Sequence, residues 1–205
     1  MNPGPAAWPV PLEPVTLAGP FATLVPLAEE HAPVLLAAGR DERVWTYMRD
    51  RATTPEAMAA YVGSALADWR AGSALPFVVI DPDGRVVGST RFMAADRANR
   101  GLEIGSTWYS PDVWRTAVNT QCKFLLLEHA FSRLGCIRVE LKTDARNLAS
   151  RAAIARLGAL EEGTLRSKVI MRDGYRRDSV YFSILDREWP GVRARLLGFL
   201  GLDAS

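Results

Sequence analysis

The chain has 205 residues, 48% of them hydrophobic, enough for one globular domain with a sizeable core. Its 25 basic and 23 acidic residues are mixed along the chain and leave a formal net charge of +2, which argues against a nucleic-acid binder. No apolar run approaches the ~18 residues that span a bilayer, and the N-terminus lacks the basic and apolar regions of a signal peptide. A soluble, cytoplasmic protein is expected.

Residues 1–14, MNPGPAAWPVPLEP, read as a proline-rich arm lying on the surface, with a single domain over 15–205. The stretch 15–27 predicts a strand pair or one bent strand, followed by a helix near Ala28–Ala38. A second helix is expected over 53–72: Thr53 and Glu56 have capping-box spacing, Pro55 lies in the first turn, and Gly72 follows the last. Residues 75–94 predict two strands around the turn DPDG, and 101–110 a third strand stopped by Pro111. A long helix then runs from about Asn119 to Leu134, closed by Gly135. One apolar stripe on it holds Cys122, Leu125, Leu126 and Ala130, another Phe124, Leu127 and Phe131, so it is buried against a sheet and covered again.

Residues 136–143 alternate cleanly, with Ile137, Val139 and Leu141 on one face and Arg138, Glu140 and Lys142 on the other. Strand, helix and strand in succession make a βαβ crossover with parallel strands. A loop and short helix over 144–159, closed by Gly158, a hairpin over 164–185 turning at Arg172–Tyr175, and a helix over 186–200 with Asp186 near its cap complete the chain. The fold class is therefore a mixed α/β sheet, mostly antiparallel with one crossover, and not a doubly wound fold.

The segment 111–131, PDVWRTAVNTQCKFLLLEHAF, runs from an irregular loop straight into the long helix. The first turn of a helix offers unpaired N–H groups and the positive end of the helix dipole, which together suit an anion. This loop holds no glycine; an αR-type turn needs nothing smaller than Thr116 or Ala117, with Asn119 as cap and Arg115 adding charge. An ordinary capped helix start reads equally well from these residues alone. The two cysteines, Cys122 and Cys136, form no CxxC pair and read as buried thiols, and with two histidines they give no metal-ligand spacing, so no metal is expected. His129 reads as a core residue. His31 lies near residues that could shape a pocket. The aromatics at 45, 47, 61 and 69 recur at helical spacing and read as core.

The segment Leu102–Leu160 resembles the core of the GNAT N-acetyltransferase superfamily, and most closely its RimJ/RimL-like branch of ribosomal-protein N-terminal acetyltransferases. The residues that carry the resemblance are EIGSTWYSPDVWRTAVNTQCKFLLLEHAF, RVELKTDARNLASRAAIARLGALEEGTLR and RDGYRRDSVYFSI, with LVPLAEEH and REWP fitting the same branch. The resemblance implies a GNAT fold and acetyl-CoA as co-substrate. It implies that the turn and helix start at Arg115, Thr116, Ala117, Val118, Asn119 and Thr120 cradle the pyrophosphate on backbone amides. Three positions depart from the family's glycine-rich pattern: Trp114 at its basic position, Ala117 at its first glycine and Asn119 at its final small residue.

The resemblance also implies that the backbone of Trp108, Tyr109 and Ser110 pairs with the pantetheine arm, and that an N–H there stabilises the oxyanion of the tetrahedral intermediate. Asn147 would bond the pantetheine arm, and Ser150 would protonate the departing thiolate; both also suit helix capping. Glu103, inside the otherwise apolar LEIGS and on a half-buried strand, is the candidate general base, its alternative being an exposed strand glutamate paired with an arginine. The tyrosine that many relatives use as general acid falls at Ile154, and Asp178 is a second carboxylate that could orient the amine. The expected activity is acetyl transfer to a primary amine, a protein N-terminus or a small molecule, by direct attack. The competing reading is an inactive acyl-CoA-binding or scaffold protein. No nucleic-acid or membrane partner is expected, and the closing hairpin leaves room for a homodimer.

Overall fold

Eight strands form one sheet in the order β1-β2-β3-β4-β5-β6-β8-β7 in the computed structural model, which describes residues 12–203. Strands β1 (Leu17–Ala18) and β2 (Thr23–Pro26) make the expected strand pair, and α1 (Ala32–Ala38) follows a 3-10 turn at Glu29–His31. Helix α2 (Pro55–Arg70) starts one residue later than the capping box suggests. Thr54, not Thr53, is the N-cap, and its side chain accepts from the Ala57 amide. Proline at the first helical position needs no N–H there and leaves Thr54 extended, which is what a cap requires.

The meander continues with β3 (Leu75–Ile80), β4 (Val86–Asp96) and β5 (Gly101–Tyr109). Helix α3 (Ala117–Glu128) follows, and its last turn widens to a π-helical turn at His129–Arg133 before Gly135, at φ 66°, ends it. Then come β6 (Arg138–Asp144), α4 (Leu148–Leu157), β7 (Leu160–Ile170), β8 (Arg176–Leu185) and α5 (Trp189–Leu200). Glu188 rather than Asp186 is the N-cap of α5, because Asp186 accepts from the Arg187 amide instead. Neighbouring strands are antiparallel except β5 and β6, as a single βαβ crossover requires.

Each face of the sheet carries its own core. Phe77, Phe92, Leu102, Ile104, Val139, Leu141, Phe182 and Ile184 pack with α3, α4 and α5 residues such as Leu126, Ile154 and Leu196. On the other face Val78 and Trp108 pack with Leu35, Trp45, Met58 and Tyr61 from the α1–α2 region. Burying each of these large side chains is worth about 2 kcal/mol, so the two cores clamp the middle strands from both sides. The two apolar stripes expected on α3 are buried to different degrees. Cys122, Leu126, Leu127 and Ala130 are buried, whereas Phe124, Leu125 and Phe131 are half-covered. The aromatics read as core are so at Trp45 and Tyr61, and Trp69 donates to the Leu12 carbonyl. Of the N-terminal arm, residues 1–11 lie outside the described residues, and Leu12 is buried. Among the described residues no helix is long and apolar enough to cross a membrane.

Candidate active site

The parallel pair is short. β5 and β6 match only over Gly101–Glu103 and Arg138–Glu140. Beyond Glu103, β5 stays paired with β4 as far as Tyr109, and β6 stays paired with β8 as far as Asp144. The two strands therefore part, and the facing edges of Ile104–Tyr109 and Leu141–Asp144 have no strand between them. Gly105, Ser106 and Thr107, in mid-strand, are half-exposed for this reason. Unpaired strand edges need a partner, and an opening at the carboxyl end of parallel strands is where open α/β sheets take ligands.

Glu103 stands at the apex of the opening. It is 3% exposed, and the Lys142 ammonium lies 2.7 Å from its Oε2. The alternative of an exposed glutamate paired with an arginine is not what the structure holds: Glu103 is buried and its partner is a lysine, two residues after Glu140 on the same strand face. Burial pushes the Glu103 carboxyl above its ordinary range, and Lys142 opposes the rise. Glycine at 105 makes this placement feasible. A Cβ there would meet Glu103 Oε1 at 2.6 Å and Met93 Sδ at 2.7 Å.

A β-bulge follows. Between Ser89–Trp108 and Arg91–Gly105 the β5 side carries one extra residue, and Ser106 sits at φ 44°. The extra residue reverses the alternation, so Trp108 turns to the α2 face, where its indole donates to the Tyr61 hydroxyl at 3.1 Å and packs at a tilt against Trp45, ring centres 5.1 Å apart. Thr107 turns the other way, toward α3, and accepts from Lys123 Nζ at 3.0 Å. The Tyr109 carbonyl is taken by the Trp114 indole at 2.9 Å, and the Ser110 amide by the Val87 carbonyl at 2.7 Å.

The loop into α3 differs from the expected αR turn. Arg115 adopts φ 62°, the left-handed region where glycine is at ease. Thr116, not Asn119, is the N-cap; its hydroxyl accepts from the Val118 amide at 3.3 Å and donates to the Val113 carbonyl at 2.8 Å. Hence Ala117, Val118 and Asn119 are the first three helical residues, and the amides of Ala117 and Asn119 are those that a helix start leaves unpaired. Thr120 is buried, and its hydroxyl accepts from Arg156 of α4 at 2.7 Å. Trp114, 42% exposed, lies under the Arg43 guanidinium at 5.5 Å.

Across the opening, Asn147 caps α4 and accepts from the Ser150 amide at 3.0 Å. The capping reading holds for Asn147. The Ser150 hydroxyl, half-buried, bonds to no described residue. Ile154 is buried in the core. Asp178 accepts from the Ser167 amide at 2.7 Å and so holds the bulge of β7. His31 accepts from the Ala28 amide at 2.9 Å, and His129 stacks on Phe92 at 6.0 Å. The β7–β8 hairpin arches over the far end: Arg172 donates to the carbonyls of Trp45, Met48 and Asp50, and Arg146 lies 3.5 Å from the Tyr175 ring centre. Among the described residues no group of three His, Cys, Asp or Glu side chains could hold a metal ion.

The acetyltransferase (GNAT) domain model matches residues 22–160. The Bacillus subtilis (strain 168) protein named as a ribosomal N-acetyltransferase, YdaF, is 34% identical over 111 residues, 54% of this chain and 60% of that protein. The chain thus spans about 60% of the length of this curated relative. The crystal structure of a GCN5-related N-acetyltransferase from Brucella melitensis is 30% identical, with a TM-score of 0.87 over 96% of this chain and 90% of the other. Mycobacterium smegmatis RimJ, solved in complex with CoA-disulfide, is 26% identical, with a TM-score of 0.79 over 92% and 95% of the two chains.

Proposed function

The chain belongs to the GNAT acetyltransferase family, in its RimJ/RimL-like branch, and as a member of it we propose that this acyltransferase is an acetyl-CoA-dependent N-acetyltransferase. Its acceptor is a primary amine, a protein N-terminus or a small molecule, and the amine attacks directly within a ternary complex. The observation that carries the reading is the parted β5–β6 edge with the buried Glu103 at its apex.

The residues present fit the donor. The amides of Ala117 and Asn119, with the dipole of α3 and the exposed charge of Arg115, suit a pyrophosphate without any glycine. Trp114 covers the Tyr109 carbonyl, so the free edge of Gly105–Trp108 is what remains for an extended pantetheine arm. When bound, acetyl-CoA supplies an activated thioester and a thiolate leaving group. An N–H of the bulged β5 edge donates to the thioester oxygen as charge builds there. Glu103 takes the proton of the incoming ammonium, directly or through water, because a buried carboxylate with a raised pKa is a stronger base than an exposed one. Asn147 holds the arm with the amide group its cap leaves free, and Ser150 carries a proton to the departing sulfur. The free buried thiols of Cys122 and Cys136 support a cytoplasmic setting.

The test is a calorimetric titration with acetyl-CoA, free CoA and dephospho-CoA, followed by acetyl transfer to peptides with different N-terminal residues. Micromolar binding and acetylated peptide amines support the reading. A folded protein that binds none of the three nucleotides would remove it.

A further inference from the structure

Lys123 is a cation in the wrong place for a cation. It lies in the middle of α3 among Cys122, Leu126 and Leu127, is 6% exposed, and has no carboxylate within ion-pair distance among the described residues. Among the described residues its one side-chain hydrogen-bond partner is the Thr107 hydroxyl, at 3.0 Å. A buried ammonium with one neutral acceptor destabilises a fold, and methionine would fill the same volume at no such cost. Packing therefore gives no reason for lysine here.

What Lys123 touches gives one. Thr107 is the residue after Ser106 in the bulge, on the half of β5 that β6 has left. Its hydroxyl also lies 2.7 Å from the Thr90 hydroxyl on β4. Lys123 donates to Thr107, either threonine hydroxyl can donate to the other, and the three groups form a hydrogen-bonded chain from α3 through β5 to β4. Thr107 can face α3 only because the bulge reverses the strand's alternation. A non-glycine residue at φ 44° is held by its surroundings, and this chain is the polar surrounding on that side.

We infer that Lys123 is a positioning residue for acyl transfer: acting through Thr107, it fixes the bulged segment Gly105–Trp108 so that its backbone donor meets the thioester oxygen. The inference rests on the reading above that the free edge of β5 receives the donor. It assigns Lys123 no contact with substrate. Its effect falls on the acetyl group and not on the nucleotide, since the pyrophosphate cradle at Ala117–Asn119 lies between one and two helical turns before it and Lys123 points away to Thr107.

The experiment needs no acceptor amine. Acetyl-CoA labelled with carbon-13 at the acetyl carbonyl is bound to the wild type, to Lys123→Met and to Thr107→Val, and the carbonyl stretch is read by isotope-edited infrared spectroscopy. A hydrogen bond to the carbonyl oxygen lowers the stretching frequency. The wild type is expected to lower it relative to free acetyl-CoA, and both variants to lose at least about half of that shift while free CoA binds within about threefold of wild type. If Lys123→Met does not fold, Thr107→Val carries the test. Folded variants that keep the wild-type frequency, or a wild type that binds acetyl-CoA without any shift, would overturn the inference alone. A loss of free-CoA affinity equal to the loss of acetyl-CoA affinity would overturn it too, by placing Lys123 in the cradle. A wild type that binds neither nucleotide overturns the donor-site reading, and this inference with it.

Discussion

Lys142 reaches across from β6 to set its ammonium 2.7 Å from a Glu103 carboxylate that is only 3% exposed. The two groups belong to strands that part just beyond them, so the pair marks the point where the sheet stops and the opening begins. Burial raises the Glu103 pKa and Lys142 lowers it, so the balance between the two sets where the carboxylate loses its proton. Only the deprotonated form accepts a proton from the amine. Activity should therefore rise with pH through the raised Glu103 pKa. Glu103→Gln should lower kcat roughly 10²–10³-fold with free-CoA affinity unchanged. Lys142→Met removes the counter-charge and should move the acidic limb of the pH–rate profile to higher pH. A limb that stays in place, with a catalytically competent Glu103→Gln, would assign the proton to another group.

Arg115 carries two burdens that a pair of variants separates. It sits at φ 62°, which costs a non-glycine residue roughly 1 kcal/mol, and it supplies a charge beside the helix start. Arg115→Gly should raise thermal stability by about that amount while weakening CoA binding about three- to tenfold. Arg115→Lys should retain most of the affinity and none of the stability gain. Equal CoA affinities in all three proteins would leave the backbone amides as the sole cradle.

Much of this was legible in sequence, and the failures share a cause. Periodicity and turn residues placed every long element, because the alternation of Val139 and Leu141 with Glu140 and Lys142 is written locally. Caps slipped by one to three residues at Thr54, Thr116 and Glu188, since several Ser, Thr, Asp or Asn residues near a helix start can serve and tertiary packing chooses among them. Arg115 at positive φ was unforeseeable, because a glycine-free loop advertises no left-handed residue. Lys123 was missed as well. Its signal, a lone lysine inside CKFLLL, was present, but its partner Thr107 depends on a bulge that no short-range pattern encodes.

The β7–β8 hairpin is tied down by one side chain. Arg172 donates to three carbonyls, of Trp45, Met48 and Asp50, in the segment that joins α1 to α2. With the Arg146–Tyr175 stack it closes an arch over the end of the opening. Arg172→Ala should speed hydrogen exchange in residues 45–50 and 171–175, with little change in strands β3 to β5. It should raise KM for the amine several-fold more than KM for acetyl-CoA, because Arg172 bonds to the segment between α1 and α2 and to no residue of the α3 helix start. An equal rise in both would make the hairpin a general prop of the fold.

The buried ammonium of Lys123 also leaves a mark on stability, and its sign is fixed. Burial lowers its pKa to about 8, and the nearby Cys122 and Glu103 pull in the other direction. Below pH ~8 the lysine is charged both in the fold and in the unfolded chain, whose pKa is near 10.4, so the whole desolvation cost is present. Between these values the unfolded chain holds the extra proton, and stability rises with pH. Lys123→Met should thus be more stable than wild type at pH 7, by roughly 3 kcal/mol at most, and the advantage should shrink steadily above pH 8 and vanish near pH 10.5. Chemical denaturation of both proteins across that range measures it. A constant difference would mean that Lys123 stays protonated throughout, stabilised by groups beyond Thr107. A shrinking one, together with the loss of the carbonyl shift, would mean that the fold tolerates a destabilising charge because the strand beside the thioester depends on it.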